Sequence, residues 1–177
     1  MNPSDEIIEQ ILVLRFQTGD KEALAELIDR YQASLRYFIS RLSENPETAE
    51  DIFQDTWLTV IRRIYSLKNL DAFSPWLYRI ARNKVYQQLR RKKMVSKLDD
   101  KIMVSNNTED DVFSGEDAKE IHRCLKELIP EYREVLMLRF LEQMSYKQIS
   151  EVINCSLGTV KSRIHYAKLA LKKEMEK

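Results

Sequence analysis

Residues 143–173, QMSYKQISEVINCSLGTVKSRIHYAKLALKK, contain two short helical patterns on either side of a turn at 154–156. Ser145 and Gln148 have the spacing of a capping box, in which two side chains satisfy backbone N–H groups at the start of a helix. A short helix, a tight turn and a second helix with a polar outer face form a helix-turn-helix, which places its second helix in the major groove of DNA. This stretch therefore predicts a helical domain whose second helix is a candidate for reading DNA.

The two patterns divide into an apolar side and a polar, basic side. Helical spacing places seven apolar residues on the inner side of the two helices: Ile149, Val152, Ile153, Val160, Ile164, Ala167 and Leu171. The outer side of the second helix carries Thr159, Lys161, Ser162, His165 and Tyr166. Residues 155–177 hold six Lys or Arg and two acids, which suits neutralisation of DNA phosphates. A basic solvated face on an ordinary core helix is the alternative interpretation.

The composition favours helices and gives the whole chain no general affinity for polyanions. Hydrophobic residues make up 44% of the 177 residues, whereas 3 Gly and 4 Pro are too few for a fold with many tight turns. Because 29 Lys and Arg balance 28 acids, the distribution of charge matters more than its sum.

The sequence predicts neither cofactor chemistry nor membrane insertion. Cys124 and Cys155 are the only cysteines, and with His122 and His165 they lack the spacing of a zinc site. We therefore expect no metal, no cofactor and two reduced thiols. No segment approaches the ~20 apolar residues that span a bilayer. The acidic start MNPSDEIIEQ lacks the basic region of a signal peptide, so a cytoplasmic location is expected.

Helical patterns fill the first 93 residues. Apolar residues recur at helical spacing in each pattern, and a capping residue followed by proline marks two of the starts, at 45–46 and 74–75. Asp20 is a candidate N-cap, and Ile61 is expected on an inner face. The expected helices cover residues 7–16, 20–43, 46–64 and 74–93.

A change of composition divides the chain. Residues 97–120 hold eight acids against three lysines, and the part reading SNNTEDD has no apolar periodicity. We therefore expect a flexible acidic linker over 94–115. Helical periodicity resumes after it. The sequence thus predicts an all-α protein with two small helical domains, 1–93 and 116–177, joined by that linker.

The helix expected over 46–64 carries an acidic face opposite its apolar one. An acidic stripe repels DNA phosphate, so its functional interpretation is a docking surface for a basic protein partner. A solvated face, with acids favoured near the N-terminus by the helix dipole, explains the pattern equally well. The face contains Glu47, Glu50, Asp51, Gln54 and Asp55.

The helix expected after residue 74 has the opposite character. Residues 79–93 carry seven Lys or Arg and no acid. A cationic face with an aromatic and an amide suits single-stranded DNA, whose backbone needs neutralising and whose bases stack; a basic surface with no particular target is the alternative. The preceding loop, SLKNLDAF at 66–73, has room for an unstacked base. The basic face contains Arg79, Arg82, Asn83, Tyr86 and Arg90.

The chain resembles the bacterial extracytoplasmic-function (ECF) sigma factors in three segments. They are AEDIFQDTWLTV, AFSPWLYRIARNKVYQQLRR and LIPEYREVLMLRFLEQMSYKQISEVINCSLGTVKSRI. The match covers nearly the whole chain, with the segments in the family's order and the linker in the family's place. The resemblance implies a region 2-like helical bundle, a region 4-like helix-turn-helix domain, and a dissociable subunit that gives core RNA polymerase its promoter specificity.

The resemblance also implies roles for particular residues. The surface for the clamp helices of the largest polymerase subunit matches Glu50, Asp51, Gln54 and Asp55. Recognition and melting of the minus-ten element are implied for Leu67, Asn69, Phe73, Arg79, Arg82, Asn83, Tyr86 and Arg90. Reading of the minus-thirty-five element is implied for Thr159, Lys161, Ser162, Arg163, His165 and Tyr166.

The implied partners are core RNA polymerase, promoter DNA as duplex and as melted non-template strand, and a sequestering anti-sigma factor. The chain departs from the family pattern on both DNA surfaces. A basic residue often found at the place of Tyr166 is absent, as is the aromatic sometimes found where His165 stands, and Leu67 and Asn69 give the capture loop its own composition. A relative's promoter sequence therefore does not transfer to this chain.

Other classes of protein fit less well. A two-domain transcriptional regulator that binds duplex DNA without acting as a polymerase subunit is the alternative within DNA binding. Its first domain would need alternating hydrophobic strand patterns, which residues 1–93 lack. An enzyme is disfavoured because the sequence has no Gly-rich phosphate loop, metal cluster or nucleophile with an evident base. In a pure protein–protein adaptor, the basic segments would be incidental.

Overall fold

The computed structural model describes residues 3–96 and 116–177. The chain divides into two compact units, Met1–Thr108 and Glu109–Lys177. Both are helical, and the described residues contain no β-strand, which confirms the predicted all-α fold with two helical domains. Residues 97–115, most of the predicted linker, lie outside the described residues.

Within residues 3–96, four α-helices and two short 3₁₀ turns form the N-terminal domain. The α-helices are α1 (Pro3–Gln17), α2 (Glu22–Leu42), α3 (Pro46–Arg63) and α4 (Phe73–Ser96). The 3₁₀ turns, Ile64–Ser66 and Leu70–Ala72, connect α3 to α4. Helix α2 lies at the centre and contacts α1, α3 and α4.

Aromatic side chains fill the core of the N-terminal domain. Tyr37, Phe38, Phe73 and Tyr78 are almost fully buried. The ring centroids of Phe38 and Tyr78 lie 5.1 Å apart at 80°, an edge-to-face contact that adds about 0.5–1.5 kcal/mol to burial alone. The Tyr78 hydroxyl is hydrogen-bonded to the Ser34 hydroxyl at 2.8 Å, so its burial leaves the phenol satisfied. This core fixes α4 against α2.

A capping side chain starts α3, and the start of α2 differs from the predicted one. The Asn45 side-chain oxygen accepts a hydrogen bond from the Thr48 N–H at 2.7 Å, with proline at the first position of α3. The Asp20 carboxylate accepts one from the Glu22 N–H at 2.9 Å, but the N-cap of α2 is Lys21, one residue after the predicted Asp20. A hydrogen bond from the Arg15 guanidinium holds the pKa of the Asp20 carboxyl below its usual range.

Within residues 116–177, the C-terminal domain consists of α5 (Glu116–Glu127), α6 (Pro130–Leu136), a π-helical turn (Met137–Leu141), α7 (Tyr146–Ile153) and α8 (Leu157–Met175). Helix α8 packs against α5, α6 and α7. Its central position gives one side of α8 a core to bury and leaves the other side to solvent.

The turn between α7 and α8 confirms the predicted helix-turn-helix. The Ser145 hydroxyl accepts the Gln148 N–H at 3.2 Å, and the Ser145 N–H donates to the Gln148 side chain at 2.8 Å, which completes the capping box. Helix α7 ends at Ile153, and its C-cap residue Asn154 has a φ of +53°, in the left-handed region that asparagine tolerates. The Ser156 hydroxyl then caps α8 by accepting the Thr159 N–H at 3.1 Å.

Two details of the N-terminal domain differ from expectation. Ile61 is 36% exposed and Thr56 is 0% exposed. The Thr56 hydroxyl donates to the Ile52 carbonyl at 2.7 Å, so threonine can take an inward position without losing a hydrogen bond. Helix α4 continues to Ser96 rather than ending near residue 93.

Candidate nucleic-acid and protein interfaces

Helix α8 presents a polar side to solvent. Its buried residues are Val160, Ile164 and Ala167. It exposes Lys161, Ser162, His165 and Tyr166. The His165 and Tyr166 rings meet edge to face with centroids 5.3 Å apart. The exposed side thus offers an ammonium, a hydroxyl, an imidazole and a phenol, groups that can pair with base edges and phosphates in a major groove.

Two predicted minus-thirty-five residues, Thr159 and Arg163, are only half-exposed. The Thr159 N–H and hydroxyl both bond to the Ser156 hydroxyl, at 3.1 and 2.9 Å. The Thr159 carbonyl accepts a hydrogen bond from the Ser162 hydroxyl at 3.0 Å. Thr159 is therefore engaged in the first turn of α8, which it helps to hold in place.

Helix α4 carries the predicted basic face. Arg79, Asn83 and Arg90 are exposed, while Arg82 and Tyr86 are half-buried. The guanidinium carbon of Arg82 lies 4.5 Å from the centroid of the Tyr86 ring. This cation–π stack presents a flat cation beside an aromatic ring, the combination that holds backbone and bases of a single strand.

The loop at 66–73 is exposed at its centre. Lys68 and Asn69 are exposed, and Leu67 is half-buried. The Asn69 side-chain oxygen accepts a hydrogen bond from the Asp71 N–H at 3.2 Å, so one half of its amide group is used to start the second 3₁₀ turn. The amino half of that side chain remains for a ligand.

Phe73, expected to contact minus-ten DNA, lies in the core. It is 0% exposed, and its ring centroid lies 5.8 Å from that of Tyr31 and 6.1 Å from that of Trp76. The first turn of α4 packs over α2, so Phe73 is buried in this structure and supports the loop from beneath. Its contact with minus-ten DNA stays a prediction.

The acidic face of α3 is partly neutralised within its own domain. Glu50 forms an ion pair with Arg36 of α2, and the Asp55 carboxylate lies 3.2 Å from the Lys84 ammonium of α4. Asp51 is exposed and has no ion pair within residues 3–96. Because exposed pairs of this kind contribute only ~0–1 kcal/mol, an incoming basic side chain can replace them. Sequence spacing gave no sign of the Arg36 contact, since the two residues lie on different helices.

A groove of about 320 Å³ runs between α3 and α4. One wall carries Asp51, Gln54 and Asp55, and the other carries Lys84, Gln87, Gln88 and Arg91. Leu58, which is 48% exposed, lines the groove together with Ile52. A partner that docks on α3 therefore also meets polar and cationic groups of α4.

One buried carboxylate, in α1, was not predicted from the sequence. Glu9 is 3% exposed, and its carboxylate accepts hydrogen bonds from the Tyr31 hydroxyl of α2 and the backbone N–H of Ser74 in α4. Burial raises the pKa of Glu9 to about 7, against the opposing effects of the Tyr31 hydrogen bond and the Arg30 charge. Nothing in the acidic start of the chain distinguishes this glutamate from its exposed neighbours.

The described residues also bear on metal binding, on the two cysteines and on membrane insertion. Within 3–96 and 116–177, no group of three or more His, Cys, Asp or Glu residues is arranged to hold a metal ion. Cys124 is a buried free thiol and Cys155 a half-buried one. No helix in these two ranges is both long enough and apolar enough to cross a bilayer.

The folds and surfaces of the two domains define a class of transcription protein. Sigma-70 region 2 matches residues 27–94, and Sigma-70, region 4 matches residues 118–171. The first match contains the acidic helix, the loop and the basic helix, whereas the second contains the helix-turn-helix. The chain therefore has the two DNA-binding regions of a sigma-70-type factor in their order.

Curated relatives identify the branch of that class. The ECF RNA polymerase sigma factor SigW of Bacillus subtilis is 31% identical over 176 residues, covering 92% of this chain and 94% of SigW. The ECF RNA polymerase sigma-E factor of Escherichia coli K12 is 30% identical over 186 residues, covering 98% of this chain and 97% of its own length. The chain belongs to the ECF sigma factors.

Solved structures agree with this assignment. The sigma factor RpoE from Bartonella quintana, in its complex with the anti-sigma factor NepR, has a TM-score of 0.75 and 26% identity, covering 86% of this chain and 96% of RpoE. CnrH, in its complex with the cytosolic domain of CnrY, has a TM-score of 0.69 and 22% identity, covering 96% of this chain and 97% of CnrH. The CnrH likeness supports the fold alone.

As an ECF sigma factor, the protein is an alternative sigma factor that directs promoter-specific transcription initiation. The rival interpretation, a two-domain regulator that is no part of the polymerase, is not favoured. Its first domain would be a receiver or sensor, whereas residues 27–94 match Sigma-70 region 2.

Proposed function

We propose that the first domain docks on core RNA polymerase through the acidic face of α3. The contacts are made by Glu50, Asp51, Gln54 and Asp55. The carboxylates of Glu50, Asp51 and Asp55 complement basic side chains on the clamp helices of the largest polymerase subunit. The exposure of Asp51 supports this role, as does the weakness of the internal pairs at Glu50 and Asp55.

The same domain recognises and melts the minus-ten element. Leu67 and Asn69 receive an unstacked base, and the face of α4 with Arg79, Arg82, Asn83, Tyr86 and Arg90 holds the melted non-template strand. Unstacking costs a few kcal/mol, which base stacking of ~1–3 kcal/mol per base and phosphate neutralisation offset. The Arg82–Tyr86 stack supports this assignment, with Phe73 acting from the core.

The second domain reads the minus-thirty-five element as duplex DNA. Lys161, Ser162, His165 and Tyr166 make the base and phosphate contacts from the exposed side of α8. Thr159 holds the first turn, and the half-exposed Arg163 lies beside the contacting residues. Phosphate neutralisation by the cations of this helix supplies the part of the affinity that depends on salt.

The division of labour follows the chain. Residues 1–93 bind polymerase and the minus-ten region, residues 116–177 bind the minus-thirty-five region, and residues 94–115 connect them. The net negative charge of 97–120 suits passage through a basic polymerase channel instead of contact with DNA. The protein has no catalytic activity or cofactor of its own, and it acts in the cytoplasm, where polymerase and promoter are.

An anti-sigma factor is the proposed regulator. The sigma factor RpoE from Bartonella quintana binds such a partner, NepR, and the chain covers 96% of that sigma factor. Because a sigma factor competes for core polymerase, its activity must be inhibited until it is required. We therefore expect a protein partner that binds this chain and prevents its docking.

The observation that carries the proposal is the succession of an acidic docking face, a basic strand-binding face and a helix-turn-helix within two matched sigma regions. The test is transcription in vitro with core RNA polymerase, this protein and fragments of its own genome, with RNA starts mapped by sequencing. We expect starts that share two spaced motifs and depend on the protein. Duplex binding without any redirected starts would contradict the proposal.

The variant Asp51→Arg separates docking from DNA reading. It should abolish protein-dependent starts while leaving duplex binding by α8 unchanged. Asp29→Arg, which changes another exposed acid of the same domain in the same way, is the matched control and should support starts as wild type does. Equal loss in both variants would show a general charge effect instead of a docking surface.

A further inference from the structure

Helix α1 contacts the segment between α3 and α4 at its first 3₁₀ turn. The carboxamide of Gln17 donates hydrogen bonds to the backbone carbonyls of Ile64 at 2.6 Å and Leu67 at 3.0 Å. The Phe16 ring lies 6.0 Å from the Tyr65 ring between them. One half-buried amide group therefore joins the start of the turn to the residue that follows it.

Two more side chains of α1 contact the far end of the same segment. The Gln10 amide donates to the Asp71 carboxylate in the second 3₁₀ turn. The buried Glu9 carboxylate accepts the N–H of Ser74, in the first turn of α4. Residues 9, 10 and 17 lie on one side of α1, because residues separated by seven or eight positions share a face of a helix.

We infer that α1 is a brace that holds residues 64–74 in the conformation that receives the unstacked promoter base, and that Gln17 is its main positioning residue. The inference rests on the proposed role of this loop in minus-ten recognition. Leu67 and Asn69 lie between the anchor points at Ile64 and Asp71, so their backbone is fixed before DNA arrives. A loop ordered in advance loses less conformational entropy on binding, and DNA is captured more readily.

The chemistry of Gln17 makes the inference testable. A glutamine amide offers two N–H donors, and both carbonyls that it contacts belong to a part-buried segment. Methionine has a similar size and no donor, whereas lysine again has a donor at the end of a flexible chain. Gln17→Met therefore removes the hydrogen bonds with little change of volume, and Gln17→Lys restores them.

The experiment uses full-length protein with core polymerase and a promoter on which the wild-type protein directs transcription. The affinity of the closed complex and the rate of promoter opening are measured separately, the latter by permanganate reactivity of melted thymines. Gln32→Met and Gln32→Lys, at an exposed glutamine of α2, control for size and added charge. Two ordinary hydrogen bonds correspond to roughly a tenfold effect.

We expect Gln17→Met to open the promoter about tenfold more slowly with closed-complex affinity unchanged, and Gln17→Lys to recover most of that rate. A merely structural defect would lower the active fraction without changing the rate constant for opening. Wild-type opening by Gln17→Met, or no recovery with Gln17→Lys, would overturn the inference. Failure of the wild-type protein to open any promoter would instead contradict the proposed function.

A variant at the exposed anchor keeps the test decisive if Gln17→Met does not fold. Gln10→Met removes one surface hydrogen bond to Asp71, a change that the fold tolerates. It should slow opening about two- to threefold, as one weak hydrogen bond predicts. Opening at the wild-type rate by this variant would overturn the brace.

Discussion

The two proposed DNA surfaces depend on different kinds of support. In the C-terminal domain, the contacting side chains project from α8, which is capped by its own Ser156 and packed by its own apolar side. In the N-terminal domain, part of the surface is the loop at 66–73. Gln17 of α1 donates hydrogen bonds to the Leu67 carbonyl of this loop and to the Ile64 carbonyl just before it, 50 and 47 residues away. A helix sets its own alignment, whereas a loop depends on distant parts of the chain.

The largest expected effect concerns Phe73, where the loop surface meets the core. Phe73→Ala should lower the free energy of unfolding by ~3–5 kcal/mol, because a fully buried ring leaves a cavity. Urea unfolding followed by tryptophan fluorescence reports this domain, since Trp57 and Trp76 are the only tryptophans in the chain.

Leu14→Ala serves as the control for Phe73→Ala, because Leu14 is 52% exposed in the same domain. It should change stability by no more than about 0.5 kcal/mol. If Phe73→Ala instead left stability unchanged and weakened binding of the melted strand, the side chain would be a DNA contact after all.

The same contrast explains what the sequence could predict. On α8, periodicity predicts exposure correctly: Lys161 and His165 are exposed, and Val160 and Ile164 are buried. On α3 it misplaces Ile61, which is exposed. The cap of α3 was recognisable because Asn45 acts on a residue within the first turn that it starts. Such features depend on neighbours three or four positions away.

The missed features depend on contacts across the domain. Phe73 stands beside a loop in sequence, and only its packing on Tyr31 shows that it belongs to the core. Glu9 and Gln17 look like ordinary polar residues of an N-terminal helix until their partners at Ser74 and Ile64 are known. No local pattern carries that information.

The next prediction tests whether the exposed side of α8 binds DNA without depending on the rest of the fold. Lys161→Ala should cost ~1–3 kcal/mol of DNA binding and relax specificity at one promoter position, if the ammonium pairs with a base. The melting temperature should not change, because the side chain is exposed. Binding is measured by titrating a promoter library with the polymerase holoenzyme.

Lys168→Ala changes another exposed lysine of α8 and is the control. It should weaken binding to all promoters alike and lower the salt dependence of the binding constant by about one unit of slope. If the two variants behaved identically, Lys161 would contact phosphate alone.

The buried Glu9 gives the loop side a dependence on pH. Glu6, Arg30, Tyr31 and the Ser74 N–H face its carboxylate. Because its pKa rises from 4.5 to about 7 on folding, the folded protein binds this proton more tightly. Its contribution to stability is therefore greatest at low pH and is lost as pH rises through 7. Relative to Glu9→Gln, the unfolding free energy of the wild type should fall on the order of 2 kcal/mol between about pH 5.5 and 8. A difference that stays constant across this range would show that Glu9 titrates normally.

The smallest effect separates stability from DNA binding at the start of α8. Ser156→Ala should cost ~1 kcal/mol, because it removes the side chain that accepts the Thr159 N–H. Ser156→Asp should retain that stability, since aspartate also caps and its charge suits the helix N-terminus. The same negative charge should weaken duplex binding at low salt by repelling phosphate.

Both variants are compared by thermal unfolding and by duplex titration. If the first turn of α8 lies against DNA, Ser156→Asp should be the more stable variant and Ser156→Ala the tighter DNA binder. Equal duplex affinity for Ser156→Asp and wild type would place the first turn of α8 away from the phosphates and leave the contacts to residues farther along the helix.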